Sequence, residues 1–356
     1  MEENKKRIDK KQLALISALC LLLAIFVALA ILFGGDGRGS IQPRYKDFYG
    51  YFHNSEVVPL QTRISDYSGG SEEDFLAVCD LAEQMLDRYH KLFDIYNTYE
   101  GIVNIKTLND KAGEGPVKIS AELFDFLEFS KEMYTLTGGE VNIAMGAVLS
   151  VWHDCREAGI KKPEAAALPD MALLNARAEH TDINKLVLDR ENMTASLIDP
   201  EMSLDVGAVA KGYSVEKIAE AIKNTGRTSY VIDSGGNVRA LGTKPDGSSW
   251  KTGIKNPFGG EHIYVTELSD SAAVTSGNYE TNYTVNGVNY HHIIDKDTLM
   301  PSSYFASVTI IAPHSGMADA LSTALFNMTY DEGRALADSL GIKAVWVSPD
   351  GNVKTN

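Results

Sequence analysis

The feature that most constrains this chain is an uncharged apolar run of 21 residues, Leu13 to Phe33. As a helix rising about 1.5 Å per residue it would span about 31 Å, enough to cross the hydrocarbon core of a bilayer. Lys5, Lys6, Arg7, Lys10 and Lys11 precede it. Cations collect on the cytoplasmic side of a span, so residues 1–12 are expected inside and everything after residue 33 outside. A cleaved signal peptide is the alternative, but its apolar region runs about 7–15 residues and ends at a small-residue site. The exit here is Phe33-Gly34-Gly35-Asp36, and Leu19 before Cys20 stands where a lipoprotein signal needs a small residue. The expectation is therefore an uncleaved single-pass anchor over 13–33. A tether over 34–44 follows, with four glycines between Gly34 and Ser40. The rest, 45–356, is read as one extracytoplasmic catalytic domain at the cell membrane.

Charge narrows the partners. The chain carries −15, and its first twelve residues hold five basic against three acidic groups, so the exported part carries −17. Phosphate-backbone binding needs clustered cations, which argues against nucleic acid as partner. The same excess argues against the domain lying on an anionic membrane surface. Three cysteines, Cys20, Cys79 and Cys155, do not make a disulfide scaffold, and no zinc-type Cys/His spacing is present.

Apolar spacing from Glu72 to Tyr99 (Phe75, Val78, Cys79, Ala82, Leu86, Tyr89) predicts a long helix with one buried face. His90 and Asp94 sit one turn apart on it as ordinary surface neighbours. Further helices are expected over 121–136, closed by Gly138-Gly139, and over 212–224, 316–328 and 332–340. Strands are expected over 185–188 and 195–198, 230–233 and 238–241, 283–285, 307–312 and 344–348, with 173–178 in a loop-rich stretch. Interleaved strands and helices without a repeat imply an α/β (α+β) domain: a mixed-sheet layer with flanking helices.

Four segments break the packing pattern. Leu204 to Tyr213 places Asp205, Gly207, Lys211 and Gly212 just before a helix, where backbone amides and a lysine can hold a phosphate; a plain strand–turn–helix junction is the alternative. Asp319, Ser322 and Thr323 are spaced i, i+3, i+4 on one helical face. That stripe offers oxygen ligands to a hard cation such as Mg²⁺, unless it is a solvated face. His291 and His292 are adjacent in a strand-like run and must point to opposite sides, so one at most serves a given site as a base. Asp233-Ser-Gly-Gly-Asn237 and Thr275-Ser-Gly-Asn-Tyr279 are small polar turns that suit close backbone approach by a ligand.

Taken in order, Asp205 to Tyr213, Gly235-Gly236-Asn237, Thr275 to Tyr279, His292 to Asp295 and Ala318 to Thr323 resemble the motif series of the FAD:protein FMN transferases. Gly139 to Gly146 followed by Trp152, and Phe93 to Asn97, extend the resemblance over about residues 75–350. It implies an enzyme that takes FAD as substrate and joins FMN to a Ser or Thr of a target protein by a phosphoester bond, releasing AMP. It further implies Mg²⁺ held by Asp319 and Thr323, with backbone oxygens at Ala208 and near Ser322. FAD would be contacted by Ala144, Met145, Gly146, Asp205, Lys211 and Ile294, and His292 would be the catalytic base. The acceptor is expected to be an exported or membrane redox flavoprotein. A magnesium-dependent FAD pyrophosphatase and a non-catalytic FAD binder stand as alternatives. Three departures are visible: Tyr51-Phe52-His53-Asn54 replaces a first-strand Gly-Thr or Asp-Thr pair, Asn142 a common Asp, and Lys296 a frequent Pro.

Overall fold

Burial alternates with period two along the strands and 3.6 along the helices, as one-sided elements require. The computed structural model describes residues 44–50 and 60–356; the anchor and tether expected over 13–44 and the Tyr51–Asn54 stretch lie outside them, save Arg44. Strands β1 (Arg44–Gly50) and β2 (Leu60–Asp66) lead to helix α1 (Glu72–Phe93). Its start is a capping box in which Ser71 and Asp74 each accept the other's backbone amide. It stops at Asp94, six residues short of the 72–99 expectation. There the carboxylate accepts the Tyr96 and Asn97 amides at 2.7 and 3.0 Å and the Tyr99 hydroxyl at 2.7 Å, which bends the chain away.

Then come α2 (Ile105–Asp110), β3 (Val117–Lys118), α3 (Ala121–Leu136), α4 (Gly146–Lys161) and α5 (Met171–Ala178). Helix α5 replaces the loop expected at 173–178; Asp170 caps it and Leu174 is fully buried. Strands β4 (Leu186–Asp189) and β5 (Thr194–Leu197) pair as the sequence implies, with β3 added at the edge. Next are α6 (Ala210–Asn224), β6 (Tyr230–Ser234), β7 (Asn237–Leu241), β8 (Trp250–Lys255), β9 (His262–Leu268) and β10 (Ser271–Gly277). The β6–β7 turn is Gly235-Gly236, both at positive φ (55° and 82°), the geometry a two-residue hairpin turn demands. The chain finishes with β11 (Asn282–Val285), β12 (Val288–His291), β13 (Ser307–Ala312), α7 (Ser315–Asn327), α8 (Tyr330–Ser339), β14 (Lys343–Val347) and β15 (Val353–Thr355).

Eight strands form the main sheet in the order β1-β2-β6-β7-β10-β13-β14-β15. Every strand pair among the described residues is antiparallel, so the fold is α+β and the mixed strand directions expected are not found. One face buries Ile64, Tyr230 and Ile232 against α1 and α6, and Val274, Val308 and Ile310 against α7. The opposite face carries a smaller cluster around Ala240, Ala273 and Trp250, covered by the β8–β9 hairpin. Among the described residues no helix is long and apolar enough to cross a membrane.

Candidate active site

Helices α6 and α7 meet near their starts, and each supplies a carboxylate that accepts a first-turn amide of the other. The Gly212 amide of α6 donates to Asp319 Oδ2 of α7 at 2.7 Å, and the Ser315 amide of α7 donates to Glu216 Oε2 of α6 at 2.6 Å. Carboxylates thus meet both helix N-termini, where orphan amides and the macrodipole favour negative charge. The approach is possible because residue 212 is glycine: a Cβ there would lie 2.6 Å from the Ser315 carbonyl oxygen and closer still to the Asp319 side chain. An α-helix aims the amide of residue 212 at the carbonyl of residue 208. Here that amide goes to Asp319, so the Ala208 carbonyl is not taken up by it.

The stripe Asp319, Ser322 and Thr323 is therefore no solvated face; Asp319 and Ser322 are 5% and 0% exposed. Ser276 of β10 braces it, its hydroxyl lying 2.8 Å from Ser322 Oγ and 3.2 Å from Thr323 Oγ1. Ser322 Oγ also donates to the Asp319 carbonyl at 2.8 Å, so this side chain serves the fold. Asp319 and Thr323 each offer an oxygen of the kind a hard divalent cation takes.

The second wall is built from two segments laid side by side. Met145 bridges Ser203 in parallel, and the Asp205 amide donates to the Ile143 carbonyl at 2.8 Å. Gly146 permits the contact, since a Cβ there would sit 2.5 Å from the Ser203 carbonyl oxygen. Asp205 accepts the Gly207 amide at 2.9 Å, which shapes the turn into α6. Asn142 does structural work here: it accepts the Ala144 amide at 2.9 Å and donates to the Thr181 carbonyl at 2.8 Å. Ile294 packs with Met145, Val148 and Trp152 in one cluster, which places it beside the 144–146 turn. Ala144 and Ile294 are 0% and 7% exposed, and the Ile294 carbonyl accepts the Asn327 side-chain amide at 3.3 Å.

The two histidines divide their roles, although β12 ends at His291 and His292 lies in the bend that follows. His291 is buried, its Nε2 pairs with the Ser302 carbonyl at 2.8 Å and its Nδ1 accepts the Ile293 amide at 3.2 Å. Both ring nitrogens are committed to the fold. His292 is exposed at the surface, and crowding by surrounding protein lowers its imidazole to about 4, helped by His291, Arg156 and Lys211. Lys211, in the first turn of α6, links this wall to the Asp319 side. It also faces Asp233, whose carboxyl is raised by desolvation against the pull of the Gly236 amide, Arg63 and Lys211.

Reading the sequence missed His153 and Arg156, which meet Tyr96 of the Phe93 to Asn97 stretch. The hydroxyl of Tyr96 and the guanidinium of Arg156 both reach His153 Nδ1, at 3.2 and 3.0 Å. Helix α4, which carries His153 and Arg156, was passed over because no side chain caps its start at Met145. The i, i+3 spacing of a polar pair beside Trp152 was the available signal. Glu216, Glu220 and His314 also gather closely enough to hold a cation. Glu216, however, is the buried partner of Arg239 (3.0 Å) as well as the cap of α7, and His314 Nδ1 accepts the Met317 amide, so these groups are occupied by the fold.

The fold is an antiparallel α+β layer in which the starts of α6 and α7 exchange carboxylate caps. The ApbE family model matches residues 59–346, and the chain belongs to that family. An FAD:protein FMN transferase of Treponema pallidum is 33% identical over 270 residues, covering 71% of this chain and 72% of that protein. One from Klebsiella pneumoniae is 28% identical over 274 residues, covering 76% and 82%. The crystal structure of the ApbE protein of Thermotoga maritima superposes with a TM-score of 0.73 at 25% identity, over 87% of this chain and 96% of that one. The flavin transferase ApbE of Vibrio cholerae, at 24% identity and a TM-score of 0.72, shares the fold over 88% and 97%.

Proposed function

We propose that this chain is an FAD:protein FMN transferase acting outside the cytoplasm. The acceptor's Ser or Thr oxygen attacks the flavin-side phosphorus of FAD. The bond to the bridging oxygen breaks, AMP departs with that oxygen, and FMN remains on the protein as a phosphoester. The observation that carries this reading is His292: a neutral imidazole at physiological pH, on a wall shared with Lys211, can take the proton the acceptor hydroxyl must lose. A positioned base of this kind contributes typically about 10²–10⁴-fold. The Lys211 ammonium suits the diphosphate's charge. Asp319, Thr323 and the Ala208 carbonyl fit Mg²⁺, which when bound supplies charge neutralisation at phosphoryl oxygens. Asp205 and the 144–146 turn form the adjoining wall for the rest of FAD, with Ile294 behind it.

The names of the relatives support the transfer chemistry. The membrane anchor, and an exported or membrane-bound redox protein as acceptor, rest on the N-terminal sequence: a flavin used outside the cell must be held covalently or it diffuses away. The test uses the full chain in detergent with FAD, Mg²⁺ and candidate exported flavoproteins, followed by denaturing electrophoresis under ultraviolet light. A fluorescent acceptor band that disappears with EDTA is the expected result. AMP release without a labelled protein would replace transfer by hydrolysis, and intact bound FAD would reduce the protein to a binder.

A further inference from the structure

One constellation on this wall has no part in the chemistry above. Arg156 lies on α4, ten residues and about 15 Å along the axis from Gly146 at the helix start. Met145, Leu149, His153 and Arg156 follow one another at four- and three-residue steps, so the stripe that begins at the 144–146 turn runs up to this guanidinium. Its Nη2 donates to His153 Nδ1 at 3.0 Å. An arginine only donates, so that nitrogen is the acceptor and the His153 proton sits on Nε2. The Tyr96 hydroxyl reaches the same nitrogen at 3.2 Å, and the Tyr96 and His153 rings lie 5.1 Å apart. One lone pair cannot fully serve two donors, so the arrangement fixes the guanidinium's direction while leaving most of its N–H groups for another acceptor. Arg156 is half-buried, and its charge acts on both Tyr96 and His292, as that of Asp205 acts on Tyr96.

We propose that Arg156, aimed by His153 and Tyr96, contacts the diphosphate of the bound dinucleotide and makes the site select FAD over flavins that lack a diphosphate. The inference rests on the FMN transferase reading. A guanidinium matches phosphate oxygens in two-pronged geometry and loses no charge at any working pH. It would hold the diphosphate from the α4 side, leaving the α6–α7 side for Lys211 and the oxygen stripe. His153 is then a positioning residue, acting through Arg156.

The experiment titrates the full chain with FAD and with riboflavin, in EDTA so that no metal contributes, following flavin fluorescence. In Arg156→Gln, FAD affinity is expected to fall about 10- to 100-fold, the range for a lost charge-assisted hydrogen bond, with riboflavin affinity unchanged. Arg156→Lys restores part of the loss, and His153→Ala gives a smaller fall in FAD affinity alone. A thermal melt of each variant identifies any that do not fold, and Arg156→Lys carries the comparison if Arg156→Gln is one of them. Equal affinity of wild type and Arg156→Gln for FAD overturns the assignment, as does a parallel loss for riboflavin. If wild type transfers FMN in the gel assay while the variant binds FAD normally, only Arg156 is wrong. If wild type binds FAD no better than riboflavin, the transferase reading fails with it.

Discussion

Single residues carry the sharpest tests. His292→Ala is expected to bind FAD as before while transfer falls about 10²–10⁴-fold, the usual worth of a positioned base; undiminished transfer would remove His292 from the chemistry. Because desolvation sets this imidazole to about 4 rather than 6.5, the base is already unprotonated throughout the neutral range. The acid limb of kcat/KM is therefore expected near pH 4, and a limb centred near 6.5 would contradict the environment described. The same shift affects stability. The folded state binds this proton less tightly than the unfolded chain, so the contribution is intact above about pH 6.5 and drains away as pH falls toward about 4. At Asp319, replacement by Asn keeps an oxygen for the Gly212 amide but removes the charge. Asp319→Asn should melt close to wild type and lose EDTA-sensitive turnover, whereas Asp319→Ala should also lose about 1–3 kcal/mol by leaving a buried amide unpaired. Full magnesium-dependent turnover in Asp319→Asn would sink the metal assignment.

Between elements, the decisive contact is the exchange of caps by α6 and α7, and it was only half legible. Lys211-Gly212 before an amphipathic run marks a helix start, and the i, i+3, i+4 spacing of Asp319, Ser322 and Thr323 marks a shared face. Neither segment says that the two faces meet, because that depends on sheet order: α6 follows the β5 segment and α7 follows β13, far apart in sequence. For the same reason the stripe reads as solvated until β10 brings Ser276 beneath it. The adjacent histidines were legible as a pair of which one at most serves the site. Which of them faces the site was not, because it depends on Ser302 and Phe326 from the following segment and α7. Gly212→Ala tests the cap exchange directly. Its added methyl meets the Ser315 carbonyl and the Asp319 side chain, so the helices must part. A loss of about 1–3 kcal/mol in urea unfolding is expected, typical of overpacking, together with weakened metal response. Stability and EDTA sensitivity equal to wild type would show that the pairing tolerates separation.

For the whole molecule, the proposed topology makes a prediction about where flavin transfer takes place. If the part after residue 33 is exported as proposed, its net charge of −17 offers no electrostatic attraction to anionic lipid, and residence at the membrane would fall to the proposed 13–33 anchor. The proposed tether, 34–44, reaches at most about 36–40 Å even if fully extended. Tethering then turns a dilute encounter into a local one for acceptors that are themselves membrane-bound, with effective concentrations of the order of millimolar for short linkers. Expressed in a bacterial host, the full chain should stay in the membrane pellet through alkaline carbonate extraction, and protease added to intact spheroplasts should digest its catalytic domain. Removing residues 1–33 should slow transfer to a membrane-anchored acceptor while leaving transfer to a detergent-free soluble acceptor unchanged. Release of the full chain by carbonate, or protection from protease until the cells are lysed, would place the active site on the other side of the membrane or off it altogether.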